Sequence, residues 1–333
     1  MSKTSKSPKK IIITAYKTAR SVLPDYWHRF SPQKFTLPQL FACLVLRVVL
    51  KTDYRGVAEF LSDCPDLRNA IGLKTVPHFT TLHKASQRLL HHKIADKLLI
   101  NTIKRLVKDK DAIALAAIDS TGLDSSYVSR YFVRRRRSKH LQLWEDTIYK
   151  RWPKLAIVCD CSNHAILSAM TTRGPSVDIN QFCEPLKPAA ERVKINHLLA
   201  DAGYDSEANH TYARETCNIE TTIPPKAGRP TKKLPKGKYR RLMRTNFKQE
   251  IYGQRWQVET VFSMIKRNFG SALRARNIES QAREMLLLVL THNIAIIQLV
   301  KELFYRAIQK LFFLGYNSTT ITVITVSSIN RTG

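Results

Sequence analysis

Two short runs constrain this chain more than anything else in it: AIALAAID at 112–119 and NHLLAD at 196–201. Each is almost continuously apolar instead of alternating, the pattern of a strand covered on both faces, and each ends on an aspartate. Such a sheet needs helices on its faces. YKRWPKLAIVCDC and AILSAMTTR read as two more strands, PLKPAAERV as a helix, SEANHTYARETC as a helix capped by Ser206, and NIETTIPP as a fifth strand. Strand, strand, strand, helix, strand, helix, strand, helix is a mixed α/β order.

Around this unit, 111–313, the pattern changes. Residues 1–34 are basic and punctuated by proline, with one short apolar patch, and read as an N-terminal arm. Residues 35–110 have a helical period. Pro38 falls in the first turn of a run ending near Leu50, and YRGVAEFLSD, PDLRNAIGL and VPHFTTLHKASQRLL follow between proline or glycine breaks. Two short helices and then one carrying His78, Thr80, Thr81, His83, Lys84 and Arg88 suit a helix-turn-helix reader of a DNA groove, and equally a packing platform. From 226 to 250 the composition turns strongly basic, as in an inserted loop or arm. The last stretch, 314–333, is β-branched and polar and reads as a tail.

The chain holds 55 Lys and Arg against 26 Asp and Glu, a formal charge of +29. That excess is too large to be neutralised internally and calls for a polyanionic partner, nucleic acid first. A membrane is the poorer candidate. The longest apolar run, Met285 to Val300, contains Thr291, His292, Asn293 and Gln298, and is shorter than the ~20 residues of a span. MSKTSKSPKK leads into IIITAYKTARSVL with no signal-peptide cleavage pattern, so a cytoplasmic, nucleoid-associated location is expected. The six cysteines include no C-x-x-C pair. Cys159 and Cys161 could face one side of a strand and suit zinc, but reduced, structural thiols are the expectation.

An aspartate at a strand end is ordinarily a turn or cap residue. Two on neighbouring strands are another matter. Side by side, Asp119 and Asp201 would emerge at one edge about 4.8 Å apart, suited to two hard cations held ~3.5–4 Å apart for phosphoryl transfer. Glu259 supplies a third carboxylate. In YGQRWQVETVFSMIKRN, 252–268, read as a helix, about 100° per residue places Tyr252, Arg255, Glu259 and Lys266 on one narrow face. Val258, Phe262, Ile265 and Phe269 form the apolar stripe beside it. With that stripe packed on the sheet, the polar face meets the sheet edge. The plainer reading is a solvated face on which Arg255 and Glu259, four apart, pair.

These residues carry a resemblance. Y-G-Q-R-W-Q-V-E-T-V-F-S-M-I-K resembles the Y-x-x-R-x-x-x-E-x-x-x-x-x-x-K signature of insertion-sequence transposases of the DDE type. AIDSTGL around Asp119 and LLADAGYDS around Asp201 resemble that family's two aspartate motifs. The likeness covers roughly residues 35 to 300. It implies a ribonuclease-H-like catalytic fold, and two Mg²⁺ ions, replaceable by Mn²⁺, on Asp119, Asp201 and Glu259. It implies also cut-and-paste movement of an element bounded by inverted repeats, with Tyr252, Arg255 and Lys266 contacting the DNA end. Pairing two ends of double-stranded DNA implies at least a homodimer on the DNA.

Other basic residues join the DNA-binding candidates. Arg134, Arg135, Arg136 and Arg137 fall at a hairpin tip between the first two strands, where phosphate contact would give affinity instead of sequence reading. Arg229, Lys232 and Lys233 in KAGRPTKK are similar to a minor-groove arginine hook, or form a plain basic linker. Asp160, read as mid-strand beside the site, is the nearest substitute for a triad member, and Asp205 is expected to shape a helix start. Two other functions stay open: a metal-dependent endonuclease that cuts without joining, and a non-catalytic DNA-binding protein.

Overall fold

The computed structural model describes residues 7–30, 32–107, 112–125, 152–174, 176–226 and 234–313. Arg134 to Arg137, Arg229, Lys232, Lys233 and the stretch at 314–333 lie outside the described residues. Helices come first: α1 (Pro8–Arg20), α2 (Leu37–Val49), α3 (Tyr54–Asp63), α4 (Pro65–Asn69), α5 (Phe79–Leu89) and α6 (His92–Leu106). Helix α2 starts where Pro38 indicates. Thr36 and Gln39 close a capping box, and the Gln39 amide reaches on to the Ile71 and Gly72 carbonyls at 3.2 and 2.9 Å.

Helix α1 lies within the stretch that reads as an arm. Its Ile11, Ile12, Ala15 and Ala19 make a buried stripe at helical spacing, and Thr14 donates to Gln298 at 2.8 Å. The lysines around that stripe masked it in the sequence, but one apolar face is enough to dock a helix.

The sheet is built from β1 (Ile113–Gly122), β3 (Pro153–Asp160), β4 (Ile166–Arg173), β5 (Ile195–Ala200) and β6 (Glu220–Thr222), with the short β2 (Asp124–Ser125) outside it. Its order is β4-β3-β1-β5-β6. β1 runs antiparallel to β3 and parallel to β5, β3 and β4 are antiparallel, and β5 and β6 are parallel. This is the ribonuclease-H-like arrangement, a mixed five-stranded sheet. Every residue of β3 is buried, the charged Lys154 and Asp160 included, as a strand covered on both faces requires.

Helices α7 (Cys183–Arg192), α11 (Trp256–Phe269) and α12 (Ile278–Phe313) pack on the sheet. Between them lie α8 (Glu207–Thr211), capped by Ser206 through the Asn209 N–H at 3.0 Å, α9 (Lys238–Thr245) and α10 (Gln249–Tyr252). By length and composition α12 could cross a membrane, but most of its apolar stretch is buried inside the protein. Asn293 pins it there, accepting from the Ile166 N–H and donating to the Ile166 carbonyl and to Thr102, all at 2.9 Å.

Two stretches depart from the sequence reading. The basic segment is not wholly loop, since α9 forms inside it. The Glu207 carboxylate takes the N–H groups of Tyr239 and Arg240 at 2.9 and 3.0 Å, which satisfies donors that a helix start leaves free. The motif helix is not continuous either. Tyr252 ends α10, Gly253–Arg255 form a 3₁₀ turn, and only then does α11 begin.

Candidate active site

The register of β1 against β5 sets the geometry. Ile118 pairs with Ala200, so Asp119 and Asp201 are the next residues on two adjacent parallel strands, about 4.8 Å apart at the backbone. Asp119 Oδ1 accepts from the Ser120 N–H at 2.7 Å, and Asp201 Oδ1 accepts from the Ala202 N–H at 2.6 Å. The buried residues Val258, Val261, Phe262 and Ile265 seat α11, which packs against β1. That places Arg255 and Glu259 over the same edge.

Arg255 joins the two walls. Its guanidinium lies 3.5 Å from Asp119 Oδ2 and makes a short ion pair with Glu259. Tyr252 belongs to the same cluster: burial pushes its phenol upward, Asp201 and Asp119 add to the rise, and Arg255 opposes it. Lys266, further along the helix, donates to Thr121 at 2.7 Å and so meets β1 two residues beyond Asp119. The structure therefore brings together Asp119, Asp201, Glu259, Tyr252, Arg255 and Lys266 at one rim. The i, i+4 pairing of Arg255 with Glu259 is also present, inside the cluster and not in place of it.

Burial raises the Asp119 carboxyl to about 6. The Ser120 N–H and Arg255 pull it down, while Asp201 and Asp178 push it further up. Asp178, like Asp160 and Asp205, is an aspartate that could be mistaken in the sequence for a triad member. It sits on a 3₁₀ turn, Asp178–Gln181, and accepts from Ser120 Oγ at 2.8 Å and from the buried Lys154 ammonium at 2.6 Å. Only tertiary packing brings it beside Asp119.

Two other aspartates fall elsewhere. Asp160 does not lie beside the site: it ends β3 opposite Ala116, three residues along β1 from Asp119 and so roughly 10 Å away, and it accepts from the N–H and hydroxyl of Ser162, both at 2.8 Å. Asp205 is fully buried and holds the basic segment, taking two bonds from Arg240 at 3.0 and 2.8 Å and one from the Lys226 N–H at 2.9 Å. Ser206, its neighbour, caps the helix.

Among the described residues, no group of three or more His, Cys, Asp or Glu side chains is gathered as a metal site. The donor chemistry nevertheless fits a hard divalent cation, because Asp119 and Asp201 offer carboxylate oxygens in register. Glu259, 56% exposed, is turned onto Arg255.

A five-stranded sheet of this order, with one aspartate inside β1 three residues before its end and another just past the end of the parallel β5, defines a ribonuclease-H-like protein. A family model for the "Transposase DDE domain" matches residues 114–294, more than half of the 333-residue chain and inclusive of all three carboxylates. The chain belongs to that family: it is a DDE transposase. No curated protein matches the sequence. Among solved structures it is similar to one described as "Crystal structure of the Mos1 mariner paired end complex with Mn". The two are 13% identical, over 83% of this chain and 82% of that one, with a TM-score of 0.22.

Proposed function

We propose that this transposase cuts element ends in double-stranded DNA and joins the freed 3′-hydroxyl to target DNA, the cut-and-paste reaction, with Asp119, Asp201 and Glu259 as its catalytic carboxylates. The observation that carries the reading is that Asp119 and Asp201 each follow the last paired residues of β1 and β5, Ile118 and Ala200, next to Arg255 and Glu259. Two Mg²⁺ ions, or Mn²⁺, held by these three side chains would supply the Lewis acidity that activates an attacking oxygen and stabilises a leaving one. The remaining roles fall to the protein. Arg255 is a planar fork suited to bidentate contact with a phosphate, and Lys266 a point charge that can anchor the next one. A phosphate taking up Arg255 would also free Glu259 to turn towards the aspartates. Tyr252 supplies a phenol at the edge of the same cleft. The net charge of +29 fits a DNA partner. Two ends cut together call for at least a dimer on the DNA, and a nucleoid location follows from the substrate.

The test is incubation of the full chain with Mg²⁺ and a duplex carrying the inverted repeats that flank its coding region. Cut and joined product is expected. Cut product alone would make the protein an endonuclease, and a shifted but intact duplex would make it a binding protein. The Asp119→Asn variant should still shift the duplex while losing both products; full cleavage by that variant would sink the assignment of Asp119.

A further inference from the structure

Helix α2 is apolar at almost every position, LPQLFACLVLRVV, yet it carries one arginine, and that arginine is buried. Arg47 is 6% exposed, and its Nε has no hydrogen-bond partner. Its guanidinium stacks 4.6 Å over the Tyr54 ring and lies 3.9 Å from Glu284. A cation in that position is costly unless something answers it.

Arg47 lies in the wall of a cavity of about 320 Å³ between α2, α3 and α5 on one side and the segment leading into α12 on the other. Arg274, Arg276 and Arg283 share the lining, and so do two acids, Asp53 and Glu284. Both acids are already engaged. Asp53 accepts from the Gly56 N–H at 2.7 Å, and Glu284 accepts from the N–H groups of Arg274 and Ala275 at 3.0 and 2.9 Å. Arg283 also pairs with Glu279, outside the lining, at 3.9 Å, so four guanidiniums stand against three carboxylates, and a surplus of positive charge remains in a recess of ligand-pocket size, a class that runs upward from about 300 Å³. Arginine forks around a recess match the oxygens of a phosphate.

The recess also continues the basic line that begins at the acidic rim. Lys266 bonds Thr121, Lys51 donates to the Arg267 carbonyl at 2.8 Å, and Arg274 in turn donates to the Lys51 carbonyl. The helix from Glu259 to its end at Phe269 spans about 15 Å, four or five base-pair steps of ~3.4 Å.

We propose that this cavity seats one backbone phosphate of the bound DNA, several base pairs from the cleavage point, between the helical layer and the foot of α12. The inference rests on the reading of the protein as a DNA transposase and adds to it a second anchoring point outside the catalytic rim. The seat serves affinity and register, and takes no part in the chemistry.

The test compares the full chain with Arg283→Gln, Arg276→Gln and Arg47→Met in duplex titrations across a range of salt, with thermal melting as the check on folding. The two surface-side variants keep the test valid if Arg47→Met does not fold. Expected are a roughly three- to tenfold loss of affinity and a fall of about one in the slope of log K against log salt, with the cleavage rate at saturating DNA unchanged. Wild-type affinity and slope in the folded variants, with cleavage intact in the parent, would overturn the seat and leave the transposase reading standing. A parent protein that neither binds nor cuts DNA would overturn both. Inorganic phosphate is the second probe: if it raises the melting temperature of the parent but not of Arg283→Gln, while the two bind DNA alike, the cavity is a small-anion site and the backbone seat is wrong.

Discussion

Four residues separate two aspartates of opposite character. Asp205 is fully buried and takes three donors, two from Arg240 and one from the Lys226 backbone. Asp201, at the rim, has the adjoining Ala202 N–H, and its strand neighbour Asp119 has the Ser120 N–H and an arginine at 3.5 Å. A carboxylate satisfied on all sides holds a structure together. Carboxylates crowded against one another with few donors weaken the fold, and such an arrangement persists where activity requires it. On the proposed assignment, the donor count separates structural acids from catalytic ones more sharply than position on a strand does.

The contrast breaks most visibly if activity fails to follow it. Asp119→Ala and Asp201→Ala should each lower strand cleavage by about 10³-fold or more, while melting in the absence of divalent ions stays the same or rises. Asp160→Ala, on the opposite rim with Ser162, should retain cleavage at temperatures where it is folded. A dead Asp160 variant with a native melting curve would show that donor count does not mark the active acids.

Stability should move the other way. Asp205→Ala removes the partner of Arg240 and empties a buried polar site, at a cost of about 3 kcal/mol. For a chain of 333 residues that is a drop of roughly 4 °C in melting temperature. Equal melting temperatures for Asp205→Ala and Asp201→Ala would erase the distinction between the two residues.

How much of this could be read beforehand depends on range. The strands announced themselves because AIALAAID and NHLLAD lack a polar face, and the spacing in YGQRWQVETVFSMIK brought the helical wall of the cleft with it. Ser206 is a local cap and was legible as one. What stayed hidden depends on distant partners. Helix α9 owes its start to Glu207, some thirty residues earlier, and Asp178 enters the site only through Ser120 and Lys154. The break at Gly253–Arg255 is a further case, since the helical wheel assumes a straight axis through it. Helix α1 is different: Ile11, Ala15 and Ala19 fall at i, i+4 and i+8, a signal that was present under the lysines.

The smallest effect is also the most specific to the crowding itself. Asp119 has an ordinary carboxyl value of 3.8 that the fold raises to about 6, burial being the main cause and Asp201 and Asp178 adding to it. Above about pH 6 the group is ionised both folded and unfolded, and the fold bears the whole cost, up to about 3 kcal/mol. As pH falls from 6 towards 3.8 the native state takes up the proton first, and below 3.8 the cost is gone. Asn carries no charge at any of these values. The stability gained by Asp119→Asn should therefore be near zero below pH 4, grow between 4 and 6, and level off above, when read from urea midpoints without divalent ions. Taking the difference between the two proteins matters. His210 and His292, held neutral by burial with values near 4, make both proteins lose stability as pH falls from 6.5. That loss is common to the pair and cancels. A gain that is flat across pH would mean that Asn relieves packing and not charge, and the rim acids would then be no more strained than Asp205.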